Sequence, residues 1–165
     1  MHVRLIYRLA RDLADINTNE NAFNYDLPDA LFTPTSDWRA DNLLTARIIF
    51  HCASLLHDPS LPSVVQKRLH DLFQRPIVFQ FINGYIPHLL ASKAISGYQL
   101  IAIYNLLRED NGFFAQNEGS IFILCSYYLN KLISASSSSF EVLDGQQVQI
   151  TTSLWILEVC YKVSD

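Results

Sequence analysis

The chain is expected to be mainly α, a single-domain helical bundle or HEAT-like helix stack over residues 1–165 with a small β-hairpin near 140–150. Three observations carry this expectation. Apolar residues recur at intervals of three and four along most of the chain, and Pro, Asn-Gly and Ser-Gly interrupt them at helix-length spacings. One stretch departs from that pattern: Asp144-Gly145 stands between FEVL and QQVQI, the usual two-residue turn of a hairpin. Half of the 165 residues are apolar and 17% are charged, enough to bury one sizeable core.

Taken in order, residues 2–16 form a helix through the stripe Ile6, Leu9, Leu13 and Ile16, with Leu5 on its flank. Arg8 with Asp12 and Arg11 with Asp15 stand four apart on its expected solvated face. With the base preceding the acid, such pairs contribute only about 0.2 to 0.5 kcal/mol each. Residues 17–35 are a long connection holding four asparagines, Pro28 and Pro34, together with Phe23, Tyr25, Leu27, Leu31 and Phe32. Within it, residues 27–32 suit one helical turn with Pro28 at the first position.

Ser36 suits a helix cap, with Asp37 in the positive first turn, and Ala40, Leu44, Ile48, Cys52 and Leu55 share a face as far as His57. Asp58-Pro59 stops that helix. Ser60 is the expected cap of the next, striped by Leu61, Val65, Leu69 and Leu72 and ended by Pro76. Residues 77–86, IVFQFINGYI, suit a strand by their β-branched and aromatic residues or a helix begun by Pro76, and Asn83-Gly84 is a turn or a helix end.

A short helix at 88–95 follows Pro87, and Ser96-Gly97 separates it from a helix at 98–109. Leu100, Ile101, Ile103, Tyr104, Leu106 and Leu107 make this helix apolar nearly all round, so it is expected to lie centrally. Asn111-Gly112 ends it, Ser120 caps a further apolar helix at 121–133, and the serines of 134–139 read as a flexible connection. The segment 153–163 suits a helix by Trp155, Val159 and Val163, although its Val, Ile and aromatics suit a strand too.

Composition narrows function by exclusion. A net charge of -4, a pI near 5.7 and twelve scattered Lys and Arg argue against a nucleic-acid surface, the nearest basic cluster being Lys67-Arg68 with Arg75. Cys52, Cys125 and Cys160 are far apart without a CxxC pair, as reduced core thiols of a cytoplasmic protein would be. Arg8, Arg11 and Asp12 break any signal-peptide core, and the longest apolar run, 121–129, is about half a membrane span. No export segment and no membrane partner are expected.

Catalytic chemistry lacks its usual signatures. His51 and His57 fall on one expected helix and His70 on the next, with no HExxH or Cys/His grouping, so neither metal nor cofactor is expected. His57 and His70 suit cations at negative helix ends. No Gly-x-Ser-x-Gly elbow or phosphate-cradling glycine loop occurs, and Cys52 and His51, as helical neighbours, point about 100 degrees apart. A non-enzymatic protein is expected. The dipeptides His57-Asp58 and His70-Asp71 resemble those of helical metal-dependent phosphohydrolases, and that resemblance supplies the enzymatic alternative.

The remaining signal lies between residues 12 and 41, where Asp12, Asp15, Glu20, Asp26, Asp29, Asp37 and Asp41 face a single base, Arg39. Such a surface speeds encounter with cationic partners. Phe23, Tyr25, Phe32 and Trp38 alternate with the acids, and aromatic anchors ringed by charge suit protein binding. The expected partner-binding residues are Glu20, Tyr25, Asp26, Asp29, Asp37, Trp38 and Asp41. The plainer alternative is a solvated loop that keeps an apolar protein in solution.

A small acidic helical chain of this kind resembles the bacterial immunity proteins of the contact-dependent growth inhibition type. The resemblance implies a cytoplasmic antagonist that occludes a basic, nuclease-type toxin. A secretion chaperone or adaptor with an apolar groove is the second binding alternative, and salt separates the two, because ions slow charge-driven association.

Overall fold

The structure, a computed structural model, describes residues 3–34, 38–92 and 97–109, with positions 119, 121–123, 126 and 154 beyond them. The protein is mainly α. Its elements are α1 (Val3–Ala14), a short 3-10 helix (Asp29–Phe32), α2 (Ala40–Ser54), α3 (Ser63–Phe73), α4 (Pro76–Ser92) and α5 (Gly97–Arg108), and no strand occurs among the described residues. The expected hairpin at 140–150 and serine connection at 134–139, Ser36 with Asp37, and Asn111-Gly112 lie outside the described residues, and the cap expected at Ser36 is corrected: Arg39 precedes the first turn of α2, which holds Asp41. So does the segment 153–163, apart from Leu154.

The chain groups into two compact units, Met1–Tyr85 and Ile86–Asp165. In the first, α1 packs on α2, and α2 packs on α3 and on the 3-10 helix. Leu9, Phe32, Ile49, Phe50, Leu56, Leu69, Phe73, Phe81 and Ile82 are its fully buried large side chains. The stripe expected on α3 is buried throughout, at Leu61, Val65, Leu69 and Leu72. Its expected cap is corrected: Pro62, not Ser60, precedes the first turn. Ser60 instead donates its N–H (2.9 Å) and its hydroxyl (2.7 Å) to Oδ1 of Asp58, closing the turn between the helices.

The ambiguous run at 77–86 is helical and belongs to α4, which begins at Pro76 and continues through both Asn83-Gly84 and Pro87. The expected break before His88 is therefore absent. Pro87 forfeits one backbone hydrogen bond, but Tyr85, Ile86 and Leu89 around it are buried, and that burial holds the helix together. Gly84 serves close approach instead of a turn. A Cβ there would lie 2.9 Å from Cζ2 of Trp38, whose indole stacks on Phe81 (centroids 5.1 Å apart, 22°) and leans on Tyr85 (6.3 Å). Phe32 and Phe50 meet the same layer edge-on, Phe32 against Phe81 and Phe50 against Tyr85, each at 5.7 Å.

In the second unit, Ile86 and Leu89 of α4 are buried, as are Leu100, Ala102, Ile103 and Leu106 of α5. Gln99 and Asn105 are buried with them. Arg108 stands in the last turn of α5 with its guanidinium 5.5 Å from the Tyr104 ring centroid, a cation at the negative end of a helix.

Candidate partner-binding site

Asparagines fold the connection after α1. Asp15 O accepts the N–H groups of Thr18 and Asn19, Oδ1 of Asn19 accepts the N–H of Asn21, and Ala22 N donates to Asn19 O at 3.1 Å. These turns deliver Phe23 into the protein with φ at 60°, a left-handed conformation that costs a bulky residue on the order of 1 to 3 kcal/mol. Burial of its ring and a hydrogen bond from its N–H to Oδ2 of Asp12 (3.1 Å) hold it there.

Asp12 thus departs from expectation. It is 4% exposed, not on a solvated face, because the returning connection covers it and uses its carboxylate. Tyr25 lies beside it. The guanidinium of Arg8 sits 3.8 Å from the Tyr25 ring centroid, and the phenol oxygen is buried without a hydrogen bond of ordinary geometry. Burial first, and then the Asp12 carboxylate, raise the Tyr25 pKa well above the ordinary phenol value.

From the other side, α3 and its C-terminal end clamp the connection through two arginines. Nη1 of Arg68 donates to the carbonyls of Glu20 (2.6 Å) and Ala22 (3.1 Å). Nη1 of Arg75 donates to Leu27 O (2.8 Å), while Nη2 pairs with the Asp29 carboxylate. Charged donors on carbonyls are stronger than neutral ones, so a segment without a ladder of its own is fixed from outside. Between them opens a cleft of about 540 Å³, lined by residues 23–27 and by Arg68, Asp71, Leu72 and Arg75.

Of the expected site residues, Glu20, Tyr25, Asp26 and Asp29 belong to this clamped segment. Asp26 lines the cleft and is exposed; Glu20 is exposed at its Arg68 edge. Among the described residues neither carboxylate is engaged by a hydrogen bond or ion pair. Asp29 remains exposed but is paired with Arg75. Trp38 is half-buried in the ring stack on α4. Asp41 stands in the first turn of α2, its Oδ1 accepting the N–H of Asn42 at 3.0 Å, and Asp37 lies outside the described residues.

Aromatics expected as surface anchors are largely internal, Phe23 and Phe32 being buried. The sequence shows Arg68 and Arg75 only as the nearest basic cluster and Asp71 only beside His70, and none of the three is among the expected site residues. Their spacing is the available signal: positions three and seven apart share one side of a helix, and that side faces the connection.

The other polar candidates are in different places. Cys52 is fully buried, and burial pushes its thiol up to about 12, so it is a core residue and not a nucleophile. Burial lowers the pKa of His51. His57 lies in the turn after α2 and His70 in the last turn of α3, and their rings meet with centroids 5.5 Å apart.

No family model, no curated protein and no solved structure matches the chain. No helix among the described residues is long and apolar enough to cross a membrane.

Proposed function

We propose that this protein is a cytoplasmic antagonist of the toxin-immunity kind, which neutralises a basic, nuclease-type toxin by covering its active site with the segment at 20–29. The observation that carries the reading is the pairing of two exposed carboxylates, Glu20 and Asp26, with a backbone already fastened by Arg68 and Arg75. Acids on a fixed frame meet cationic groups without the ordering cost of a loose loop. Asp26 and Asp71 at the cleft present negative charge to the lysines, arginines and histidines that a nuclease uses on phosphates. Asp29 acts as part of the frame, and Trp38 as part of the core behind it.

The test is capture from a lysate of the native host, with wild type and a Glu20→Lys/Asp26→Lys variant as baits. Wild type is expected to retain a basic protein whose association slows as salt rises, and the variant to bind it at least about tenfold more weakly, as for lost interfacial charge pairs. Retention that ignores both salt and the double charge reversal would exclude this mechanism and favour binding in an apolar groove.

A further inference from the structure

We infer that His57 and His70 form a two-imidazole site for a divalent cation of the zinc, nickel and copper class, joining the turn after α2 to the end of α3. The residues are thirteen apart and lie on different elements, so their meeting is invisible in the linear pattern. The fold sets their rings at 61° with centroids 5.5 Å apart and brings a ring nitrogen of each within 4.8 Å of the other. His57 is exposed and His70 half-buried, so an ion from solvent reaches both.

Zinc bonds imidazole nitrogen at about 2.0 to 2.1 Å, and tetrahedral geometry then places two such nitrogens roughly 3.4 Å apart. The nitrogens already lie within 4.8 Å, so binding requires an approach of up to about 1.4 Å, which in the proposed site comes from side-chain torsion at the exposed His57. Imidazole donors suit zinc, copper and nickel, whereas magnesium and calcium require oxygen ligands. Both histidines also stand where helix carbonyls point, and the partial negative charge there favours a cation. The acids that follow them serve elsewhere: Asp58 holds Ser60 through Oδ1, and Asp71 lines the cleft. The two imidazoles are the donors that the first compact unit supplies.

This role is a structural staple and stands apart from the antagonist reading. A cation bound only by the folded chain raises its stability by mass action, and protons compete for the same nitrogens. The experiment uses the full chain, Zn2+ as probe and Mg2+ as control, with His57→Ala, His70→Ala, the double variant and His88→Ala as a histidine control. Equilibrium dialysis at pH 7.5 is expected to find zinc bound at one site in wild type and His88→Ala, and the site lost in either single variant. Zinc is expected to raise the melting temperature of wild type by about 2 to 4 °C, and Mg2+ not at all. Acidification to pH 5.5 should remove the gain.

Zinc binding and a melting shift that persist in the double variant would overturn the site, as would their absence in wild type. Should His70→Ala lose its helical circular dichroism, the exposed His57→Ala decides alone.

Discussion

The connection at 15–34 and the first half of α4 lie in the same compact unit and are held by opposite means. The connection is polar, short of regular structure, and tied down by charged side chains reaching its backbone: Asp12 to Phe23 N, Arg68 to the carbonyls of Glu20 and Ala22, Arg75 to that of Leu27. α4 satisfies its own backbone and is held through Val78, Phe81 and Ile82, with Trp38 lying across Gly84. A segment without a hydrogen-bond ladder depends on a few irreplaceable polar groups, whereas a helix in an apolar layer depends on volume. Exposed carboxylates can be presented by the first kind of element because its frame comes from elsewhere.

Volume loss is expected to produce the largest effect. Phe81 is 1% exposed and touches both Phe32 and Trp38, so Phe81→Ala is expected to lower unfolding free energy by about 3 to 5 kcal/mol in urea melts. A loss below about 1 kcal/mol would mean that the ring layer is not what secures α4.

On the polar side, Asp12→Ala leaves the N–H of Phe23 buried without its acceptor and is expected to cost about 1 to 3 kcal/mol. Asp12→Asn keeps an acceptor oxygen and should recover much of that. Amide exchange at Phe23 should quicken in the alanine variant. Equal losses in both variants would show that charge, and not the hydrogen bond, anchors the connection.

The smallest effect concerns Tyr25. Its pKa is raised in the folded state, so above about pH 10 the unfolded chain releases the phenolic proton while the folded chain retains it. Stability from this group is therefore present below pH 10 and lost as pH rises toward the folded pKa. Melts between pH 9 and 11 should fall more steeply for wild type than for Tyr25→Phe, and equal slopes would place the phenol in water.

Legibility in the sequence followed the range of the interaction. The spans of α1, α3 and α5 were readable because a helix repeats its apolar face every few residues, and burial at Leu9, Leu69 and Leu106 follows that period. α4 was not, since Asn-Gly and Pro read locally as stops, and only Trp38 against Gly84 and the buried neighbours of Pro87 explain why the helix runs on. Of the site, the acidic segment was visible as composition. Which acids are outward was not: Asp12 and Asp26 are equivalent letters until the chain returns over one of them.

Sequence alone determined the helical class, the negative charge and the places where acids and aromatics concentrate, because these depend on residue type and on spacing within a turn or two. Tertiary structure decided the use of each group: Asp12 buried, Asp29 paired, Arg68 and Arg75 turned to the backbone, His57 brought to His70. Each of these joins residues 11 to 48 positions apart. Over such separations the path of the folded chain, not local propensity, sets which groups meet.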